Sequence, residues 1–186
     1  LTGGLCRHAY EALSGQWTKA RVNVVIEDAP FDEGAMRTAH RMFELERDGR
    51  RAAFVAKFYK TRVSKGDVLE DAKLSMIAET YAQDFNRESG VAKTVAFAPT
   101  YALELEERGG ALCCCEPVLS GEYLKHNNND GAVATGRLVP QAFSHYTYEK
   151  SGRQLLVCDI QGVGDYYTDP QIVSRDGGGF GQGNTG

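Results

Sequence analysis

No stretch of this 186-residue chain approaches the roughly 20 apolar residues that a membrane-spanning helix needs. An excess of one charge is lacking too. The 21 Lys and Arg nearly balance the 25 Asp and Glu, and a net charge of −4 offers no basic field for nucleic acid. The start, Leu1 to Leu5, has no basic segment leading into an apolar one, so no signal peptide is expected. It also has no initiator Met, so the chain reads as a fragment or a processed piece. Cysteine is limited to five residues with no Cys-x-x-Cys spacing, and Cys113, Cys114 and Cys115 are consecutive. Neighbouring strand residues point to opposite faces, so an extended triplet cannot converge on one metal. All five are expected to be reduced and mostly buried, the usage of a cytoplasmic protein. The five prolines fall where elements start, stop or turn: Pro30, Pro99, Pro117, Pro140 and Pro170.

Hydrophobic residues make up 42% of the chain, enough for a core in one domain or a two-lobed one. Residues 5–13 have mixed helical character, and Lys19 to Glu27 alternates as a strand. Residues 29–34 read as a turn. Residues 35–47 fit helix or strand, and the turn at Asp48-Gly49-Arg50 favours the strand. Arg51 to Tyr59 is its partner, with Phe54, Ala56 and Phe58 on one face and Ala53, Val55, Lys57 and Tyr59 on the other. Asp67 to Arg87 is predicted as one long helix, capped by Asp67 and ended by Ser89-Gly90. Strand signals resume around Pro99, Gly109-Gly110 turns, and Ala111 to Val118 returns as a buried strand. Residues 120–131 are polar and turn-rich. A second helix runs from about Pro140 to Lys150, with proline in its first turn. The expected class is α+β with two lobes: an extension over 1–16, a first lobe over 17–116 with an antiparallel sheet and one long helix, and an incomplete second lobe over 117–186.

Two regions carry chemistry. The apolar run Leu155-Leu156-Val157-Cys158 delivers Asp159 at a strand tip, followed by Gln161 and by Asp169 in a Thr-Asp-Pro turn. Two acids and an amide can hold a metal, and the glycines of 177–186 can approach phosphate; solvated turns and a flexible tail would look the same. Lys57 lies in Phe54-Val55-Ala56-Lys57-Phe58, where a lysine either snorkels to solvent or meets a fixed anion. A strand lysine on nucleotide phosphates is the protein-kinase arrangement. Yet no glycine-rich loop precedes Lys57, and neither His-Arg-Asp nor Asp-Phe-Gly occurs.

The sequence nonetheless resembles the atypical alpha-kinases, the family of myosin heavy chain kinases, melastatin-type channel kinases and elongation factor-2 kinases. The resemblance rests on Gly34-Ala35-Met36-Arg37, Val55-Ala56-Lys57, Glu116-Pro117, Gly121-Glu122-Tyr123 and Asn127 to Asn129. It continues through Gln141-Ala142-Phe143-Ser144-His145, Asp159-Ile160-Gln161-Gly162-Val163, Thr168-Asp169-Pro170-Gln171-Ile172 and Phe180-Gly181-Gln182-Gly183-Asn184. These motifs occur in the family's order from about Trp17 onward. Pro140 to Ile172 most resembles the elongation factor-2 kinase branch.

What the resemblance implies is an ATP-dependent serine/threonine protein kinase. Lys57 and Arg37 would contact ATP phosphates, and Glu116 the adenine edge. Asp159 would be the catalytic aspartate, with Gln161 and Asp169 as magnesium ligands. Thr168, Gly181, Gly183 and Asn184 would complete the nucleotide-binding set. The branch implies elongation factor 2 as substrate, slowing translation, and calmodulin as a partner through a segment preceding this chain. The family's second lobe is stapled by zinc. His145 matches the first ligand, and the other three would follow Gly186, so truncation is expected, with an unstable second lobe and weak activity for the chain as written. Thr185 stands where the family is commonly apolar, and Ile77-Ala78-Glu79 where relatives often have Glu-Ala-Lys, so that helix offers no clear ion-pair partner for Lys57. The runner-up reading is a nucleotide-binding pseudokinase module.

Overall fold

A computed structural model describes residues 2–181, 183 and 184. In chain order it contains β1 (Thr2–Glu11), β2 (Gln16–Glu33), β3 (Arg37–Leu45), β4 (Arg51–Tyr59), α1 (Lys65–Glu88), β5 (Ala96–Phe97), β6 (Tyr101–Leu105) and β7 (Ala111–Pro117). Then follow β8 (Tyr123–Lys125), α2 (Leu138–Lys150), β9 (Leu155–Cys158), β10 (Gln161–Val163), β11 (Tyr166–Thr168) and β12 (Gln171–Ser174). The mixed content is that of an α+β protein. Two compact units divide the chain: Leu1–Lys73 with Pro99–Val118, and Leu74–Ala98 with Leu119–Gly186.

The first unit is a closed antiparallel barrel in the order β1-β2-β3-β4-β7-β6. Alternation sends Leu5, Val24, Ile26, Met42, Phe54, Ala56, Leu103, Cys113 and Cys115 to its interior. The outward face of β6 and β7 offers Ala102 and Cys114 to Val68 and Ala72 of α1. The helical character read into residues 5–13 is overturned. Residues 5–11 of it belong to β1, paired with β2 from Thr2↔Val25 to Glu11↔Gln16, and β1 closes the barrel by pairing with β6; residues 12 and 13 lie in the turn to β2. Tertiary pairing outweighs local propensity here. The segment set apart as an extension is therefore a barrel strand. The turn placed at 29–34 is also displaced, because β2 continues to Glu33 with register shifts on either side of Pro30. Proline lacks the N–H that a regular ladder needs. The reversal is made one residue later, where the Gly34 N–H donates to the Arg37 carbonyl at 2.9 Å.

Helix α1 starts two residues before the predicted cap. Ser64 Oγ accepts from the Asp67 N–H at 3.2 Å while Asp67 Oδ2 accepts from the Ser64 N–H at 2.8 Å, a reciprocal capping box with Ser64 at its head. In the second unit, Leu74, Ala78, Ala82 and Phe85 of α1 pack with Phe97, Phe143, Val157, Ile160, Tyr167 and Ile172. Phe143 of α2 meets Phe85 and Phe97 at centroid distances of 5.7 and 5.5 Å. Glu79 accepts the Phe97 N–H at 2.7 Å and so ties α1 to β5. The polar stretch at 120–131 contains the short strand β8, which the turn-rich composition concealed.

All five cysteines are free, and Cys113, Cys114, Cys115 and Cys158 are buried while Cys6 is half-buried. Burial, with the neighbouring Cys113 thiol, pushes the Cys115 thiol well up, and burial pushes Cys158 up to about 12. Buried, protonated thiols are inert. Brief alkylation of the native protein at pH 8 is therefore expected to modify Cys6 alone, and alkylation in denaturant all five, as read by intact mass. Native labelling of the Cys113 to Cys115 strand would contradict the barrel.

Candidate active site

Within the second unit, Asp159, Gln161 and Asp169 come together through strand register. Strand β9 ends at Cys158, which pairs with Gln171, and β10 starts at Gln161, which pairs with Thr168. The two intervening segments, Asp159-Ile160 and Asp169-Pro170, must therefore run side by side. Both acids take left-handed backbone, with φ of 59° at Asp159 and 54° at Asp169. Asp tolerates that region better than most residues, and held strain of this kind gathers at functional sites. Gln161 spans the pair. Its Nε2 donates to Asp159 Oδ2 at 3.2 Å and to the Asp169 carbonyl at 3.5 Å. Gly162 makes the hairpin possible, since its φ is 154° and a Cβ would collide with the Tyr166 carbonyl. Thr168 is buried on β11 directly across from Gln161.

Sequence reasoning missed Lys125. It pairs with Gln161 across β8 and β10, and its Nζ lies 2.5 Å from Asp159 Oδ1. No motif singled it out, because a lysine in a polar stretch looks like a solvated one. The Asn127 to Asn129 run now has a physical role. Buried Asn127 accepts the Ile160 N–H at 2.8 Å and donates to Gln141 Oε1 at 2.9 Å and Ser144 Oγ at 3.2 Å. The His126 N–H donates to the Ile160 carbonyl at 2.8 Å, so the residue after Asp159 is held at both backbone groups. The available donors at this site are the hard oxygens of Asp159, Gln161 and Asp169, a set that suits magnesium. Cys158 is adjacent but its thiol stays protonated.

Within the first unit, Lys57 and Glu116 are brought together. Val55 pairs with Glu116 and Lys57 with Cys114, so the two side chains are diagonal neighbours on the barrel's outward face. Lys57 Nζ lies 2.7 Å from Glu116 Oε1, with side-chain exposures of 14% and 8%. Arg37, at the start of β3, pairs with Asp71 of α1 at 3.2 Å and lies over the Tyr59 ring at 5.7 Å. Tyr59 also donates to Asp71 at 2.7 Å, and burial together with that carboxylate holds its phenol protonated well beyond the usual range. Asp71 is a second residue that sequence reasoning passed over; its helical position offered only an acid in a helix rich in acids.

The glycine loop is stapled from inside. Asn184 Oδ1 accepts the Ser174 N–H at 2.9 Å, and its Nδ2 donates to Ser174 Oγ at 2.8 Å, Gly179 O at 3.0 Å and Gly178 O at 3.2 Å. Its side chain thus shapes the loop in addition to whatever the backbone offers a ligand. Gly181 adopts φ of 72°, and a Cβ on Gly183 would collide with the Gln171 side chain. Gln182, Thr185 and Gly186 lie outside the described residues. His145 is exposed on α2. Among the described residues the cluster of three close metal-ligating side chains is elsewhere, at Cys6, His8 and Glu104. One imidazole makes no tetrahedral zinc site, so the residues present do not fit the zinc that the resemblance implied.

The residues that the resemblance marked thus form a strand lysine paired with a buried carboxylate in the first unit, and two register-locked acidic loops bridged by a glutamine in the second. The profile of the Alpha-kinase family matches residues 32–186, and the chain belongs to that family. It is 44% identical over 188 residues to alpha-protein kinase 1 of Dictyostelium discoideum, covering 100% of this chain and 14% of that protein. It is 43% identical over 176 residues to myosin heavy chain kinase B of the same organism, covering 93% of this chain and 24% of that one. To eukaryotic elongation factor 2 kinase of Mus musculus it is 42% identical over 189 residues, covering 97% and 26%. These near-equal values do not single out the elongation factor-2 kinase branch. The chain spans about a quarter or less of the length of these three relatives. The alpha-kinase domain of myosin heavy chain kinase A, solved in complex with AMP, superposes with a TM-score of 0.93 at 33% identity, covering 100% of this chain and 90% of that one. No helix among the described residues is long and apolar enough to cross a membrane.

Proposed function

We propose that this chain is a protein kinase domain that transfers the γ-phosphoryl group of ATP to a serine or threonine hydroxyl. The observation that carries the proposal is the register-locked juxtaposition of Asp159, Gln161 and Asp169. Phosphoryl transfer needs positioning and charge neutralisation more than covalent help. Lys57 and Arg37 supply fixed cations for phosphate oxygens, with Glu116 and Asp71 holding them in place. Gln161 and Asp169 would hold magnesium, which when bound neutralises charge on the transferring phosphate. Asp159 orients the acceptor hydroxyl and takes its proton, and Lys125 fixes the orientation of that carboxylate. Glu116 and Thr168 would serve the nucleotide, and the backbone of Gly181 and Gly183 offers close approach to phosphate.

For the substrate we propose elongation factor 2, on the strength of the segment from Gln161-Gly162-Val163-Gly164-Asp165 to Tyr167-Thr168-Asp169-Pro170. Calmodulin regulation and a cytoplasmic setting belong to the same reading. The test offers purified elongation factor 2 and a myosin heavy chain tail, side by side, to the protein with γ-labelled ATP. Incorporation into a threonine of elongation factor 2 at least ten times faster than into myosin is expected. The reverse preference would overturn the substrate, and ATP binding with transfer to neither, nor to itself, would favour a pseudokinase.

A further inference from the structure

The outward face of the barrel carries a set of side chains that the kinase reading does not use. Cys6 and His8 are two residues apart on β1 and so share a face. Glu104 is the register partner of Cys6 on β6. One donor atom from each, a thiol sulfur, an imidazole nitrogen and a carboxylate oxygen, lies within 4.8 Å of the other two. His8 is buried, its Nε2 sits 2.9 Å from Glu104 Oε2, and the Glu104 side chain keeps 24% of its surface. Lys65 Nζ holds the other carboxylate oxygen, Oε1, at 2.8 Å, leaving Oε2 turned toward the imidazole.

We infer that Cys6, His8 and Glu104 form a binding site for a borderline divalent cation, Zn2+ in the first instance, with solvent completing the coordination. Thiolate, imidazole and carboxylate together suit zinc and not magnesium. Ligand bonds of about 2.0–2.3 Å place tetrahedral donors about 3.5 Å apart. The donor atoms, all within 4.8 Å of one another, therefore lie little more than an ångström beyond that spacing. The cation replaces the Cys6 thiol proton, which is released to solvent, and binds the lone pair of a neutral His8 imidazole that keeps its N–H on the other ring nitrogen. Lys65 remains on Oε1 as the outer partner that orients the ligating carboxylate.

The location gives the site a purpose. Strands β1 and β6 share three register pairs, Cys6↔Glu104, Arg7↔Leu103 and His8↔Ala102, whereas β1 and β2 share ten. This is the seam that closes the barrel, and the three ligands straddle it. Around the outside of the barrel, His8, Ala102, Cys114 and Lys57 are successive register partners on β1, β6, β7 and β4. Lys57 is thus three strands, half of the six-stranded barrel, from the cation site. Bound zinc clamps the seam of the sheet that carries the phosphate-contacting lysine.

The test titrates Co2+, as a spectroscopic stand-in for zinc, and Zn2+ into the purified chain. A thiolate-to-cobalt charge-transfer band that saturates is expected, and it disappears in Cys6→Ser. Zinc should slow alkylation of Cys6 at least tenfold and raise the melting temperature, with magnesium doing neither. His8→Gln keeps a hydrogen-bond donor to Glu104, so the barrel is retained, and it is expected to weaken zinc protection of Cys6 at least tenfold. Unchanged alkylation of Cys6 at saturating zinc would overturn the site. A charge-transfer band that survives Cys6→Ser would move the metal to another cysteine, with the same result. Full zinc protection in His8→Gln would remove the imidazole from the ligand set and overturn it too.

Discussion

Replacing Asp159 by asparagine is expected to lower phosphoryl transfer on the order of 100- to 10,000-fold while leaving ATP affinity within a few-fold. Asparagine is the informative substitution for a geometric reason. Residue 159 has φ of 59°, in the left-handed region that Asn accepts nearly as readily as Asp, whereas alanine would add backbone strain to the chemical change. The Ile160 N–H stays on Asn127, so the loop is retained, and the amide still fits beside Gln161 Nε2 through its own oxygen. What is lost is the basic oxygen that would receive the hydroxyl proton and the charge facing Lys125. Single-turnover transfer from γ-labelled ATP reads the chemistry. The rise of the melting temperature with Mg-ATP reads binding separately. Transfer at a wild-type rate by the asparagine variant would refute the role given to Asp159.

The Lys57→Met variant is expected to lose both stability and activity, and a second substitution separates the two. Lys57 and Glu116 are 2.7 Å apart with little exposure. Removing the lysine takes a close cation from a buried carboxylate, and deleting one member of such a pair costs about 3–5 kcal/mol. Adding Glu116→Gln takes away the carboxylate charge and keeps the side-chain volume. The double variant should recover at least half of the lost stability, read as the urea midpoint. If Lys57 neutralises phosphate, transfer in the double variant remains far below that of Glu116→Gln alone even though the fold is restored. Recovery of transfer along with stability would reduce Lys57 to a structural partner of Glu116 and remove it from the site.

Much of this architecture was legible from local pattern. The hairpin of β3 and β4, both faces of β4, the long helix and the strand ending at Cys158 followed from alternation, turn residues and capping chemistry, because each depends on neighbours within a few residues. The helix cap shows the limit of that reasoning. Asp67 was recognisable as a capping residue, yet Ser64 heads the helix because the box is reciprocal. The failures concern pairing over long separations. Residues 5–13 carry no strong strand signal, and most of them become part of β1 through contact with β2 and with β6, nearly a hundred residues away.

The sequence by itself determined the order of motifs, and with it the family and the residue types available for phosphoryl transfer. It did not determine which of those side chains touch. Only the tertiary structure closed the barrel, and only strand register set Lys57 against Glu116 and Asp159 beside Asp169 and Lys125. The reason is physical. Residue identity and alternation are local properties, whereas a shift of one residue in register turns every side chain to the opposite face, and register is decided by the packed core.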